Sequence, residues 1–125
     1  MLLLALFVAT ACSDVSGYAA ADAIPADYVG KTNPLGAEAA GAGAEVFKAN
    51  CENCHGETGH GDGIASKGLS PAPKNLAELQ SQVGDDYLFW RINTGKEGTV
   101  MLPWKGILTE EQIWQIVSFL HTLKP

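Results

Sequence analysis

Hydrophobic positions in this chain cluster into an apolar leader and three helical segments, separated by polar, glycine-rich stretches. Residues 1–11 carry no charge and are almost all apolar. This run is shorter than the roughly 20 residues needed to cross a bilayer. It has the length of the apolar core of an export signal, although no basic residues precede it. Residues 13–36 are rich in Ala, Gly and Asp, contain Pro25 and Pro34, and show little periodicity. Such a composition predicts a tether or extended arm, spanning roughly 80 Å when fully stretched. Ile24, Tyr28, Val29 and Leu35 are more apolar than a free linker requires, so an ordered arm lying along another subunit is the alternative.

Residues 38–50 predict a first helix with Val46 and Phe47 on its apolar side, and residues 85–94 a middle helix stopped by Gly95. A last helix opens at Thr109, whose partner Gln112 three residues on forms a capping box. Ile113, Ile116, Val117, Leu120 and Leu123 then recur at helical spacing on one face. Strand patterning is weak, and no internal repeat is visible. The reading is an all-α protein: a signal peptide over residues 1–11, an anchor site and linker over 12–36, and one globular domain over 37–125.

Between the helices, residues 56–63 form a glycine-rich turn lacking the Gly-Lys-Ser/Thr ending of a phosphate loop. Ser70-Pro71-Ala72-Pro73 is extended, because proline removes donors and restricts its predecessor. Residues 96–106 make a loop. The formal net charge is −6. That balance argues against nucleic acid, which requires a basic footprint, and against electrostatic binding to anionic lipid.

Chemistry enters at Cys51-Glu52-Asn53-Cys54-His55. This is C-x-x-C-H, the attachment pattern of a c-type haem. Two thiols on one helical turn span the porphyrin vinyl groups and become thioethers, while the adjoining histidine lies under the iron as proximal ligand. A redox dithiol and half of a zinc site are the duller readings. The first expects a βαβ setting that is not present here. The second needs further ligands, and His60 and His121 lack ligand-pair spacing.

The remaining cysteine, Cys12, lies in Ala9-Thr10-Ala11-Cys12-Ser13. The stretch resembles a bacterial lipobox, with small residues before the cysteine, and lipidation would account for an odd thiol in an exported protein. An ordinary secretory cut within Ala19-Ala20-Ala21 is the alternative. Two or more acyl chains at about 0.8 kcal/mol per buried methylene make a stable anchor. The expected location is the outer face of the cytoplasmic membrane or the periplasm.

An iron with one histidine has an open face. Apart from Met1, which signal cleavage would remove, Met101 is the only methionine, set in Thr99-Val100-Met101-Leu102-Pro103-Trp104 between the last two helices. It is the candidate sixth ligand; as a lone methionine it is otherwise a loop hydrophobe. His60 is five residues past His55 in a tight turn, and His121 lies in the last helix. Both are poorer candidates. A thioether opposite imidazole favours ferrous iron, so this pair predicts a relatively high-potential one-electron centre.

Taken together, these motifs resemble a class I monohaem cytochrome c over roughly residues 37–124. Gly43 and Phe47, at −8 and −4 from the first haem cysteine, match the family's N-terminal helix, and Phe119 with Leu120 its C-terminal aromatic–aliphatic pair. The resemblance implies that these helices cross. It also implies that the carbonyl of Pro71 or Pro73 accepts the Nδ1–H of His55. Residues 51–63, 70–76 and 101–114 are similar to small cytochromes c of bacterial respiratory complexes, including the monohaem subunit of alternative complex III and oxidase-fused domains. In that group proline often follows the ligand methionine directly; here Leu102 intervenes. Trp104 is a candidate to pack on the haem or to bond a propionate, and equally a plain core aromatic.

The expected function is therefore not enzymatic. A haem c domain passes single electrons between a quinol-oxidising complex and a terminal oxidase or photosynthetic centre, with Lys67, Lys74, Lys96 and Lys105 as a possible basic rim for an acidic partner. A fixed electron-wiring subunit of a larger complex shares this chemistry. A small peroxidase or reductase needs Met101 displaced and His60 as the distal acid–base group.

Overall fold

The computed structural model describes residues 22–125, so the leader and Cys12 lie outside the described residues. A 3₁₀ turn at Ala37–Ala39 leads into α1 (Ala40–Asn50), followed by the short α2 (Glu52–His55), a 3₁₀ turn at Ile64–Ser66, α3 (Leu76–Leu79), α4 (Asp85–Thr94) and α5 (Glu110–Leu120). There are no strands among the described residues, only one isolated bridge between Lys105 and Leu108. No described helix is long and apolar enough to cross a membrane.

The helix boundaries follow from local chemistry. Thr109 accepts from the Gln112 amide at 3.1 Å, and the Gln112 side chain accepts from the Thr109 amide at 2.9 Å, closing the expected capping box. Asp85 and Asp86 face the positive start of α4, and Gly95, at φ +65°, ends it. The first helix begins differently from expectation. No side chain caps it at Gly36, and the first turn tightens to a 3₁₀ bond from Ala39 N to Gly36 O of 3.1 Å. The short α3 carries too few residues to show periodicity, yet Asn75 caps it by accepting from Glu78 N at 3.2 Å.

The core lies between α1, α4 and α5. Ile113, Ile116, Val117 and Leu120 are buried, as is Leu123 just beyond the helix end. Phe89 stacks on Trp114 with ring centroids 4.1 Å apart. The crossing of α1 and α5 is close: a Cβ on Gly43 would stand 1.9 Å from the Gln115 carbonyl oxygen. One turn away Phe47 packs on Phe119 at 5.0 Å.

The described part of the expected linker is laid on its own domain rather than extending away from it. Asn33 donates to Trp114 O at 3.0 Å and to the buried Ser118 hydroxyl at 2.9 Å, while its own amide donates to Asp85 at 2.9 Å. Gly30 N reaches Asp86 at 2.9 Å, and Asn93 donates to the Tyr28 hydroxyl at 2.8 Å. Tyr28 and Leu35 pack against the core. Any free tether is shortened accordingly.

Gly43→Ala is expected to destabilise the folded protein by about 1–3 kcal/mol, because the obstacle is backbone that cannot rotate away. Thr109→Ala should cost about 1 kcal/mol through loss of the cap. Denaturant unfolding of the two variants beside the parent measures both.

Candidate functional site

Cys51 is the joint between α1 and α2. Its amide closes the last turn of α1 by donating to Phe47 O at 2.7 Å. Its carbonyl accepts from Cys54 N at 3.1 Å and His55 N at 2.9 Å. The two thiols and the imidazole therefore belong to one turn whose direction is set by α1. Both cysteines are free and half-buried. Burial, reinforced by the neighbouring Cys54, pushes the Cys51 thiol up to about 12. A thiol so reluctant to ionise is a poor nucleophile for dithiol exchange, and the described residues contain no cluster of three or more His, Cys, Asp or Glu able to hold an ion.

The glycine-rich turn wraps α2. Gly61 N donates to His55 O at 2.8 Å and Gly63 N to Cys54 O at 3.2 Å. Gly56, Gly59 and Gly61 have positive φ. A Cβ on Gly63 would lie 2.3 Å from the Asn53 carbonyl oxygen. The glycines thus let the backbone close on the end of the helix without side chains between them.

His55 is held from outside by this turn's neighbour. Its Nδ1 faces the Lys74 carbonyl at 3.4 Å. The expected support from Pro71 or Pro73 is corrected to Lys74. Both the Pro73 and the Lys74 carbonyls lie close to Gly61, where a Cβ would stand 2.5 and 3.2 Å from them, and it is the Lys74 carbonyl that meets the ring. Burial lowers the imidazole pKa and the Lys74 bond partly opposes this. A neutral ring donating from Nδ1 has Nε2 available as a metal ligand.

Met101 is placed by a separate device. A Cβ on Gly95 would stand 2.5 Å from the Met101 carbonyl oxygen, so only glycine lets the loop fold back on the end of α4. Lys96 N donates to Met101 O at 3.0 Å, Met101 N to the Thr99 hydroxyl at 3.1 Å, and that hydroxyl to Lys96 O at 2.8 Å. Trp104 N then donates to Ile92 O at 3.1 Å and its ring packs on the core. The rival histidines are engaged elsewhere. His60 is exposed on the turn around α2, its Nδ1 2.7 Å from the Thr58 hydroxyl, and His121 contacts Asp85 at 2.7 Å.

The residues fit a haem. Besides the free thiols and the neutral imidazole, Ile64, Val100 and Leu102 are 79%, 61% and 67% exposed, apolar side chains beside both ligand-bearing segments that a porphyrin would cover. Arg91 Nε is a buried donor with no acceptor among the described residues, an environment suited to an anionic propionate. Sequence reasoning missed Lys74, which acts through its backbone, and Arg91, which the helix pattern leaves unremarked.

The chain is similar to known c-type cytochrome proteins. Residues 38–120 match the family described as cytochrome c oxidase, cbb3-type, subunit III. The chain is 34% identical over 102 residues to the cbb3-type cytochrome c oxidase subunit FixP of Azorhizobium caulinodans, covering 78% of this chain and 33% of that protein. It thus spans about a third of the length of this curated relative. The structure resembles the reducing HAO-like protein complex Kustc0457/Kustc0458 of Kuenenia stuttgartiensis, with TM-score 0.60 and 35% identity over 66% of this chain and 41% of that one. It also resembles cytochrome cL of Methylophaga aminisulfidivorans, with TM-score 0.55 and 25% identity over 70% of this chain and 54% of that one. A third neighbour, the KustC0563 c-type cytochrome, has TM-score 0.54 and 25% identity over 66% of this chain and 98% of that one.

Replacing both Cys51 and Cys54 by alanine is expected to abolish pigment on the denatured chain, whereas the parent retains it through electrophoresis; haem staining of a denaturing gel checks this. With an all-α fold, a C-x-x-C-H turn and these relatives, the chain belongs to the cbb3-type cytochrome c oxidase subunit III family of c-type cytochrome domains, which bind covalent haem c.

Proposed function

We propose that this domain transfers single electrons through one haem c bonded to Cys51 and Cys54 and ligated by His55 and Met101. It would work between a quinol-oxidising complex and a terminal oxidase or photosynthetic centre. The observation that carries the reading is the pair of independently braced ligand segments. Burial lowers the pKa of the His55 imidazole, whose Nδ1 faces the Lys74 carbonyl, and Met101 is pinned to the end of α4. The haem supplies the one-electron iron couple. The chain's part is to fix both ligands, so that little rearranges when the iron changes charge, and to surround the centre with apolar side chains that favour the ferrous state.

The electron-transfer reading is favoured over peroxide or nitrite chemistry by the place of His60, which is tied to Thr58 in the turn that wraps α2. A docking rim is supported by Lys67, Lys74 and Lys105, which are exposed; Lys96 is instead paired with Asp22. The second reading, a fixed wiring subunit, draws support from a relative whose name makes it an oxidase subunit. Copurification with oxidoreductase subunits after detergent extraction would favour that form, and release as a lone domain the free carrier. Lipidation at Cys12, outside the described residues, would hold either form at the outer face of the cytoplasmic membrane.

Met101→Ala should lower the reduction potential by on the order of 100 mV, within the ~0.8 V span that axial ligation covers. It should also remove the weak far-red band of the thioether–ferric bond; an unchanged spectrum would exclude Met101. Cys12→Ala should move the protein from the membrane to the soluble fraction on fractionation. Continued membrane residence would point to an uncleaved leader or a partner subunit.

A further inference from the structure

Asp22 is distant from Met101 in sequence, yet its carboxylate meets the segment that carries Met101. It accepts from Arg91 Nη2 at 2.5 Å and from the Lys96 ammonium. Arg91, near the end of α4, and Lys96, in the loop, both bear on the Met101 segment. Arg91 lies over the Trp90 ring at 4.0 Å and donates through Nη1 to Gly95 O at 3.1 Å, where the loop leaves α4. The Lys96 backbone amide holds the Met101 carbonyl at 3.0 Å. One carboxylate therefore draws together the Arg91 side chain, which bonds the carbonyl where the loop leaves α4, and the side chain of Lys96, whose backbone amide holds the Met101 carbonyl. Lys74, whose carbonyl faces His55, is also within electrostatic reach of Asp22. The hydrogen bond from Lys96 leads in holding the Asp22 carboxyl below its ordinary range, with the charges of Lys96, Arg91 and Lys74 adding to it.

We propose that Asp22 is a positioning residue for the sixth ligand, a strap from the N-terminal arm that keeps the Met101 loop closed on the iron. The inference rests on the reading of Met101 as that ligand. Without the carboxylate, the Arg91 and Lys96 cations repel one another and the Lys96 side chain turns to solvent. The loop then opens more often. In the haem-loaded protein, opening would withdraw the Met101 sulfur from the iron, and added imidazole would take that position through its nitrogen lone pair, with no change in oxidation state. The rest of the arm is pinned separately, by Tyr28, Gly30 and Asn33, so the fold does not depend on Asp22 alone.

The test is an imidazole titration of the full-length, haem-loaded ferric protein, read by loss of the far-red band. Asp22→Asn should raise the apparent imidazole affinity ~3- to 10-fold, the range of a partly exposed charge-assisted contact. Asp22→Glu should stay close to the parent. Asp27→Asn, which removes another exposed acid of the same arm, should leave it unchanged. Lys96→Gln should raise the affinity, and adding Asp22→Asn to it should raise it further by less than Asp22→Asn does in the parent, since only the Arg91 contact is then left to lose. Parental affinity in Asp22→Asn, with or without a lowered melting temperature, would overturn the strap while leaving the Met101 ligand intact. A parent protein without the far-red band would remove the ligand reading and the strap with it.

Discussion

The close crossing of α1 and α5 at Gly43 is the constraint from which the site follows. A side chain there would press into the backbone of α5 at Gln115, so the glycine permits an approach that Phe47 and Phe119 then fill. Because Cys51 alone separates α1 from α2 and caps both, the direction of α1 determines where the two thiols and His55 stand. Packing energy spread over Ile113, Ile116, Val117 and their neighbours is in this way converted into the orientation of one short helical turn.

The two ligand segments are built on different principles. His55 sits on a helical turn gripped by a glycine-dense backbone and by one carbonyl. Met101 sits on a loop whose bracing is a few backbone bonds, a hydroxyl and a cluster of charges. The first arrangement is rigid because little can rotate. The second is strong only while its polar contacts are kept, and it includes exposed groups. In the proposed carrier, backbone contacts would fix the histidine side and polar contacts the methionine side, so that both ligands stay in place as the iron changes charge.

Much of this was legible in the residues. Glycine after Thr94 and the Thr109–Gln112 box marked α4 and α5, because caps and stops are local chemistry that tertiary contacts did not override. The C-x-x-C-H turn announced its own geometry. What could not be read depended on contacts remote in sequence. The histidine's support comes from a backbone carbonyl, which every residue possesses, so nothing in the residue type at position 74 marks it. The arm looked like linker because its apolar residues are spaced irregularly. Its partners, Asp85, Asp86 and Ser118, are polar groups on helices far along the chain. Arg91 carried no signal because a single basic residue on an amphipathic helix ordinarily faces water.

The central claim is one iron porphyrin held between His55 and the sulfur of Met101. Proton NMR of the ferrous protein, labelled at its methionine methyl carbons, tests it most directly. The account expects the Met101 methyl signal far upfield, displaced by the ring current of the porphyrin beneath it. A Met101 methyl at the position of an ordinary methionine, in a protein that still carries its haem, would contradict it.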